Sequence, residues 1–564
     1  MAQIQVKAAI MQKQFPMNVD NFVDTVLRDT GFEQERLVEG FDNQPQAFFL
    51  QNTLPQSRGY TSIHYTRVVS ESSYPTYMDK ILQLRNGEGA VALLAPCNGQ
   101  NLIYSAVTGE WVSHPETVPL SSVCTIAYLK GVTYICYSGV GLFTYDIGTD
   151  TWSSVSLSGG ITFGDIIGVA SAGTYLILYT KQYVAYSSPT DPTDFTPVTG
   201  GGGQSAILAT RGVITTVLPI SNGIIVHTAA NAVYGQLTGN VNFPFAFREI
   251  PNSSGVADSE HVTYDSTNDV HIALTSSGMM QVTPQKAELI WPELSDLIAS
   301  KNLPGTGTAP SMVGYSSVDV KVSSIGSRYI AVSMKPSNVV EYRVSYVFDL
   351  GLGRWGVLNI PHIDLFEYRN PEFTRIWTYD ELTQVYDTYT QTYDNLGEVI
   401  ESQAAKFGAT FGCVSKLGAV FVALTSDYAD VALLKSEAGA ETPRIVLGKY
   451  RIVRKQSCIV HAVNADKLQD AEVTLLGHDV AGDTIKTKLL VSSSREPTTR
   501  LGRCNGSAVS VSISGRFSLT SLGITFEQVG SGLLPVRSSD DAIPDNIVVV
   551  DTIPVVIDGE YVVS

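Results

Sequence analysis

Charge is scarce in this chain: Asp, Glu, Lys and Arg make up 16% of its 564 residues, against 44% hydrophobic ones. Disordered chains show the reverse balance, so a folded protein is expected, too long for one ordinary core. Cysteine is scarcer still. The six (Cys97, Cys124, Cys136, Cys413, Cys458, Cys504) include no C-x-x-C pair and no Cys/His cluster at zinc spacing. That excludes a zinc module and leaves reduced core thiols, with no metal expected. No stretch approaches the ~20 apolar residues of a membrane span, and the first residues form no signal-type apolar run. A protein made in a cytoplasm, or assembled there into something larger, is expected.

Basic clusters are missing too. With 37 Lys and Arg against 54 Asp and Glu, the net charge is −17, so no surface that grips nucleic-acid phosphates is expected. An acidic wall that DNA merely passes is compatible with this balance. No H-E-x-x-H, G-x-S-x-G, P-loop or Rossmann glycine pattern occurs, and the eight histidines are dispersed. Gly200 to Gly203 precede no Lys-Ser/Thr, so they read as a loop and not a phosphate cradle. Neither catalytic residues nor a cofactor are therefore expected.

What the chain does have is glycine, 48 in all, with abundant Tyr, Val, Ser and Thr. Short strands joined by tight turns follow. Segments such as Tyr175 to Tyr179, Tyr183 to Tyr186, Gly223 to Thr228 and Arg328 to Ser333 suit strands. One motif recurs. Tyr145, Asp146, Gly148 and Trp152 have the same spacing as Phe348, Asp349, Gly351 and Trp355, and Tyr104 with Trp111 repeats the aromatic-to-Trp separation. Such a unit suits the tip of a β-hairpin: aromatic and Trp flank the turn, Asp accepts turn N–H bonds, and Gly tolerates positive φ. These ten residues are expected to clasp blades together.

Trp111 and Trp152 lie 41 residues apart, the length of about one propeller blade. With Phe195, Phe245 and Trp291 as degenerate closures, the series predicts six blades. The expected fold is all-β: an N-terminal extension of mixed character over 1–85, a six-bladed β-propeller over 86–400, a β-sandwich over 401–535 and a strand tail over 536–564. A helix is expected behind Asn18 and Asp20, where Val19, Phe22, Val23, Val26 and Leu27 recur at helical spacing. Val509, Val511 and Ile513 alternate with Ser510, Ser512 and Ser514, predicting a strand with one wet face.

Thr144 to Trp152 resembles the Asp box of sialidases, S/T-x-D-x-G-x-x-T-W, a hairpin of their propellers that stands apart from the catalytic residues. The arginines between 86 and 400 show no spacing that selects a carboxylate-binding trio, so a sialidase-like glycosidase is the weakest reading. More of the chain resembles another family. Tyr183 to Phe195, Ala232 to Gly235 and the closure Tyr346 to Gly356 together look like the tail nozzle proteins of short-tailed bacteriophages, also called tail tubular protein B or packaged-DNA stabilisation protein.

The resemblance implies a structural virion protein, assembled in the host cytoplasm as a homohexameric ring. It further implies a head-to-tail adaptor and tail fibres or spikes as partners, and double-stranded DNA in transit without sequence-specific binding. A stand-alone glycan- or protein-binding propeller is the alternative.

Overall fold

The computed structural model describes most of 81–368, with short gaps at 86–90, 98–99, 106–109, 118–123, 148, 150, 198–201, 207–210, 305–311 and 327. Outside that block it describes 10–16, 47–55, 60–63, 65–70, 410–414, 420–424, 432–433, 444–451, 457–479, 482–494, 502–505, 508–529, 555–557 and 560–562. The helix expected at 19–27 falls outside these residues.

Five four-stranded antiparallel sheets follow one another along the chain, and a sixth set of four antiparallel strands, paired the same way, forms one end of a larger 13-stranded sheet. They run from Leu82–Arg85 to Glu110–Thr117, from Cys124–Leu129 to Thr151–Val155, and from Gly168–Ala172 to Gly203–Ala206. The next three run from Ile214–Ile220 to Phe245–Glu249, from Val262–Asp265 to Ala287–Leu289, and from Val318–Ile325 to Arg354–Leu358. Strands pair in chain order within each sheet, and the first strand of one packs against the first of the next. This is a six-blade β-propeller arrangement.

Burial explains why a middle strand such as Tyr175–Tyr179 is apolar throughout. In Tyr175–Tyr179 every residue is buried, because successive side chains enter different seams. Leu176 and Leu178 pack with Leu142 and Ala127 of blade two, while Ile177 and Tyr179 pack with Val217 and Ile224 of blade four. A blade alone would leave both faces wet; the ring buries both.

A further sheet closes the ring. Asp364–Tyr368, Thr410–Val414 and Val420–Leu424 pair in order, and the outer neighbour of the last is Tyr65–Ser70, from near the other end of the chain. Leu365 packs with Ile325, Tyr329 and Val347 of blade six; Ile363 and Phe366 pack with Leu93, Leu102 and Trp111 of blade one. The sheet therefore sits between blades six and one. Residues 65–70, expected in an N-terminal extension, belong to this closure.

Blade six is extended outward. Thr53–Pro55 pairs with Arg354–Leu358, then with Tyr60–Ser62, which pairs with the 22-residue strand Ala508–Val529. The Phe517 N–H donates to Ser62 Oγ at 3.0 Å, and Ser62 Oγ donates to the Phe517 carbonyl at 3.2 Å. Beyond lies the long antiparallel ribbon of Ser457–Asp479, Gly482–Ser494 and Ala508–Val529. Ser512, expected on a wet face, is buried, because the Arg444 guanidinium donates to its Oγ at 2.8 Å and needs an acceptor there.

Candidate binding surface and its supporting clasps

The aromatic-to-Trp spacing places each pair face to face across the last two strands of a blade. Tyr104 and Trp111 are register partners with ring centroids 5.4 Å apart; Tyr145 and Trp152 lie at 5.8 Å, Phe348 and Trp355 at 5.1 Å. The turns differ in burial. Asp349 is fully buried, and its Oδ1 accepts the N–H groups of Gly351 and Leu352, both at 3.0 Å. Its Oδ2 accepts from Arg328 Nε at 3.0 Å. Asp146 is exposed and accepts from the Thr149 N–H at 3.3 Å. Gly148 lies outside the described residues.

Positive φ in the blade-six turn falls on Gly353, at +64°, and not on Gly351. The reason is local: Gly351 is tied to the Asp349 carboxylate, so the chain reverses two residues later, where the Gly353 N–H meets the Asp349 carbonyl at 2.8 Å. Two of the expected degenerate closures also stand elsewhere. Phe195 is buried in the core between blades two and three, and Trp291, at φ 51°, precedes the helix Pro292–Ser300 and packs edge-on against Trp355 at 4.7 Å. Phe245 does begin the last strand of blade four, opposite Leu237. Gly203, expected in a loop, begins the last strand of blade three opposite Tyr186.

Buried polar groups in the seams are structural knots. Ser345 Oγ lies 3.2 Å from His362 Nε2, the spacing of a nucleophile and its base, but both are buried and the other ring nitrogen is 2.6 Å from the Ile360 carbonyl. A carbonyl only accepts, so His362 Nδ1 carries the proton and Nε2 accepts from the serines. No substrate reaches that hydroxyl. Among the described residues, no three His, Cys, Asp or Glu side chains converge to hold a metal ion, and no helix is long and apolar enough to cross a membrane.

The surface offers a different feature. Between the third and fourth strands of blade four, Phe243 is 72% exposed and Val241 43% exposed. Four backbone N–H groups tie their loop to itself. The Thr238 N–H donates to the Pro244 carbonyl at 2.9 Å, and the Phe243 N–H donates to the Asn240 carbonyl at 3.1 Å. The Asn240 N–H donates to Thr238 Oγ1, and the Asn242 N–H to Asn240 Oδ1, each at 3.0 Å.

Beneath the loop, Phe245 stacks with Phe247 at 6.1 Å and meets Tyr175 and Tyr186 at 5.8 and 5.9 Å. Leu237 to Phe247 contains no charged side chain. The corresponding loop of blade three carries Asp191 and Asp194; bonds from Thr196 and Ser158 hold the Asp194 carboxyl below its usual range. Sequence reasoning named Phe245 and passed over Phe243. The uncharged run Gly239-Asn240-Val241-Asn242-Phe243-Pro244, ending in an aromatic within a turn, was the available signal.

No family model matches this chain, and no curated protein matches it. Solved structures do. One is the extracellular domain of a putative one-component system, BT4673, from B. thetaiotaomicron, at 10% identity and TM-score 0.34, covering 76% of this chain and 46% of that one. This chain thus spans less than half of that domain. U3-55K matches at 8% identity and TM-score 0.37, over 64% of this chain and 98% of that one. YCF48 bound to D1 peptide matches at 8% identity and TM-score 0.36, over 64% and 95%. The propeller assignment itself stands on this chain's strand pairing and seam cores.

Proposed function

We propose that this protein is a non-catalytic binding propeller that docks a protein partner through the Phe243 loop. The single observation carrying the reading is a Phe ring 72% exposed on a loop tied by its own hydrogen bonds. Leaving such a ring in water is unfavourable, and a loop already ordered loses little further freedom on binding. A protruding ring is an anchor and not a platform, so the partner supplies the concavity. Sugars, which stack on flat aromatic faces, suit it less. Asp191 and Asp194 on the next blade favour a partner whose pocket has a basic rim.

A photo-reactive amino acid placed at 243 tests this. It is expected to cross-link one discrete protein in the native source, whereas the same probe at Leu289, 62% exposed on blade five, captures none. Equal labelling at both positions, or none at 243, rejects the reading.

Assembly into a phage tail nozzle is the more specific proposal. It rests on the sequence resemblance, and the observation that favours it is the unbroken pairing from blade six into the C-terminal ribbon, which suits a wall subunit. A hexameric ring in mass photometry supports it; a stable monomer at all concentrations opposes it.

A further inference from the structure

His227, on the second strand of blade four, and His271, on the second strand of blade five, meet across the seam between those blades. Both are fully buried, His227 Nε2 lies 2.9 Å from His271 Nδ1, and the rings stack at 5.2 Å. The far nitrogen of His271, Nε2, is 2.8 Å from the Pro219 carbonyl. Since a carbonyl only accepts, His271 Nε2 bears its proton, which leaves its Nδ1 as the acceptor. His227 Nε2 must then be the donor, and His227 Nδ1 holds a bare lone pair, buried and without a partner among the described residues. The pair is locked in one tautomeric direction with both rings neutral.

No further proton fits this arrangement. Added to His271 Nδ1, it sets two N–H groups against each other and removes the one side-chain bond between the rings. Added to His227 Nδ1, it makes a buried cation whose new N–H has no acceptor. The titratable groups facing the pair are Tyr264, edge-on to His271 at 5.6 Å, and Asp269, whose charge favours a proton on His271 but does not offset the burial that lowers it. Asp269 is already engaged: its Oδ1 accepts from Tyr264 and from the Ser221 N–H, both at 2.9 Å, linking the first turns of the two blades. On the blade-four side, His227 itself is lowered by burial and by His271.

We infer that the His227–His271 pair is an acid-operated latch, and that acidification opens the propeller along the seam between blades four and five while blade three keeps its packing. Opening hydrates both rings and lets them charge. It also frees blade four, which carries the Phe243 loop, although the latch does not depend on the docking reading.

Hydrogen exchange read by mass spectrometry, corrected for intrinsic rates, tests the latch at pH 7 and pH 4.5. Peptides covering 214–228 and 262–275 are expected to lose protection by about a hundredfold for each proton taken up, since opening gains about tenfold per pH unit below the free imidazole range. Peptides covering 168–179 are expected to keep theirs. His227→Gln, whose amide donates to His271 Nδ1 without titrating, is expected to cut the loss at least tenfold. In case the variant does not fold, imidazole nitrogen resonances of the wild type give a second reading: both rings Nε2–H at pH 7, and still neutral at pH 5.5. Charged rings at pH 7, uniform loss of protection across all blades, or an unchanged loss in a folded His227→Gln protein would each overturn the inference.

Discussion

Lys321 and Asp364 form a buried ion pair, Nζ to Oδ2 at 2.8 Å, across the join between blade six and the closing sheet. Burial by itself lowers Lys321, but Asp364 and Glu260 outweigh it and hold the ammonium above its usual range. Asp364 Oδ2 also accepts the N–H of Ile81, at the threshold of blade one, at 3.3 Å. One carboxylate thus touches both sides of the ring closure.

Removing that carboxylate strands a buried ammonium. Asp364→Ala is expected to destabilise the protein by about 3 to 5 kcal/mol, whereas replacing both partners, Lys321→Met with Asp364→Leu, is expected to cost much less. Urea titrations of the two single variants and the double variant check the coupling.

The two Asp turns are expected to differ. Asp349→Ala leaves the N–H groups of Gly351 and Leu352 and the Arg328 guanidinium without their shared acceptor, a loss of roughly 3 kcal/mol. Asp146→Ala, in an exposed turn, is expected to stay within about 1 kcal/mol. Matched thermal melts of the two variants decide the point.

Acid is expected to weaken the fold through His362 as well. Burial, aided by the charge of Lys321, pushes its imidazole down to about 4, against a partial rise from the Ile360 bond. A depressed folded value means the unfolded chain binds the extra proton first. Stability is therefore complete above the free imidazole value near 6.5 and falls as pH drops toward 4, by up to about 3 kcal/mol for this residue. Chemical denaturation at pH 7.5 and pH 4.5 checks it, with His362→Asn expected to flatten the difference.

Gly356 lets Thr53–Pro55 approach blade six. A Cβ there would stand 2.5 Å from the Thr53 carbonyl oxygen and 3.0 Å from Pro55 Cδ. Gly356→Val is expected to detach the N-terminal strands from the blade, which limited proteolysis would show as early cleavage between residues 47 and 62.

The strands that stand out in the sequence are those whose burial is local in origin. Tyr175–Tyr179, Tyr183–Tyr186 and Gly223–Thr228 are apolar runs bounded by Gly, Lys or Asn turns, and the structure gives them the same bounds. Spacing alone misled at Phe195 and Trp291, because an aromatic residue before a turn looks the same whether it closes a hairpin or fills a seam. The closing sheet was hidden for another reason. Its strands are joined by register between distant segments, and nothing in Tyr65–Ser70 names Val420–Leu424 as its neighbour. The His227–His271 and Lys321–Asp364 pairs were invisible for the same reason, since each joins residues of different sheets.

Closure of the ring by both ends of the propeller segment is the claim on which the docking surface and the latch rest, and a cross-strand disulfide tests it most directly. Thr66 and Ala423 are register partners, whereas Val422 faces Arg67. With both residues replaced, Thr66→Cys and Ala423→Cys are expected to oxidise to an intramolecular disulfide in the folded protein, and Thr66→Cys with Val422→Cys to stay reduced. A folded protein in which the 66/423 pair remains reduced, or in which both pairs oxidise alike, contradicts the closed ring.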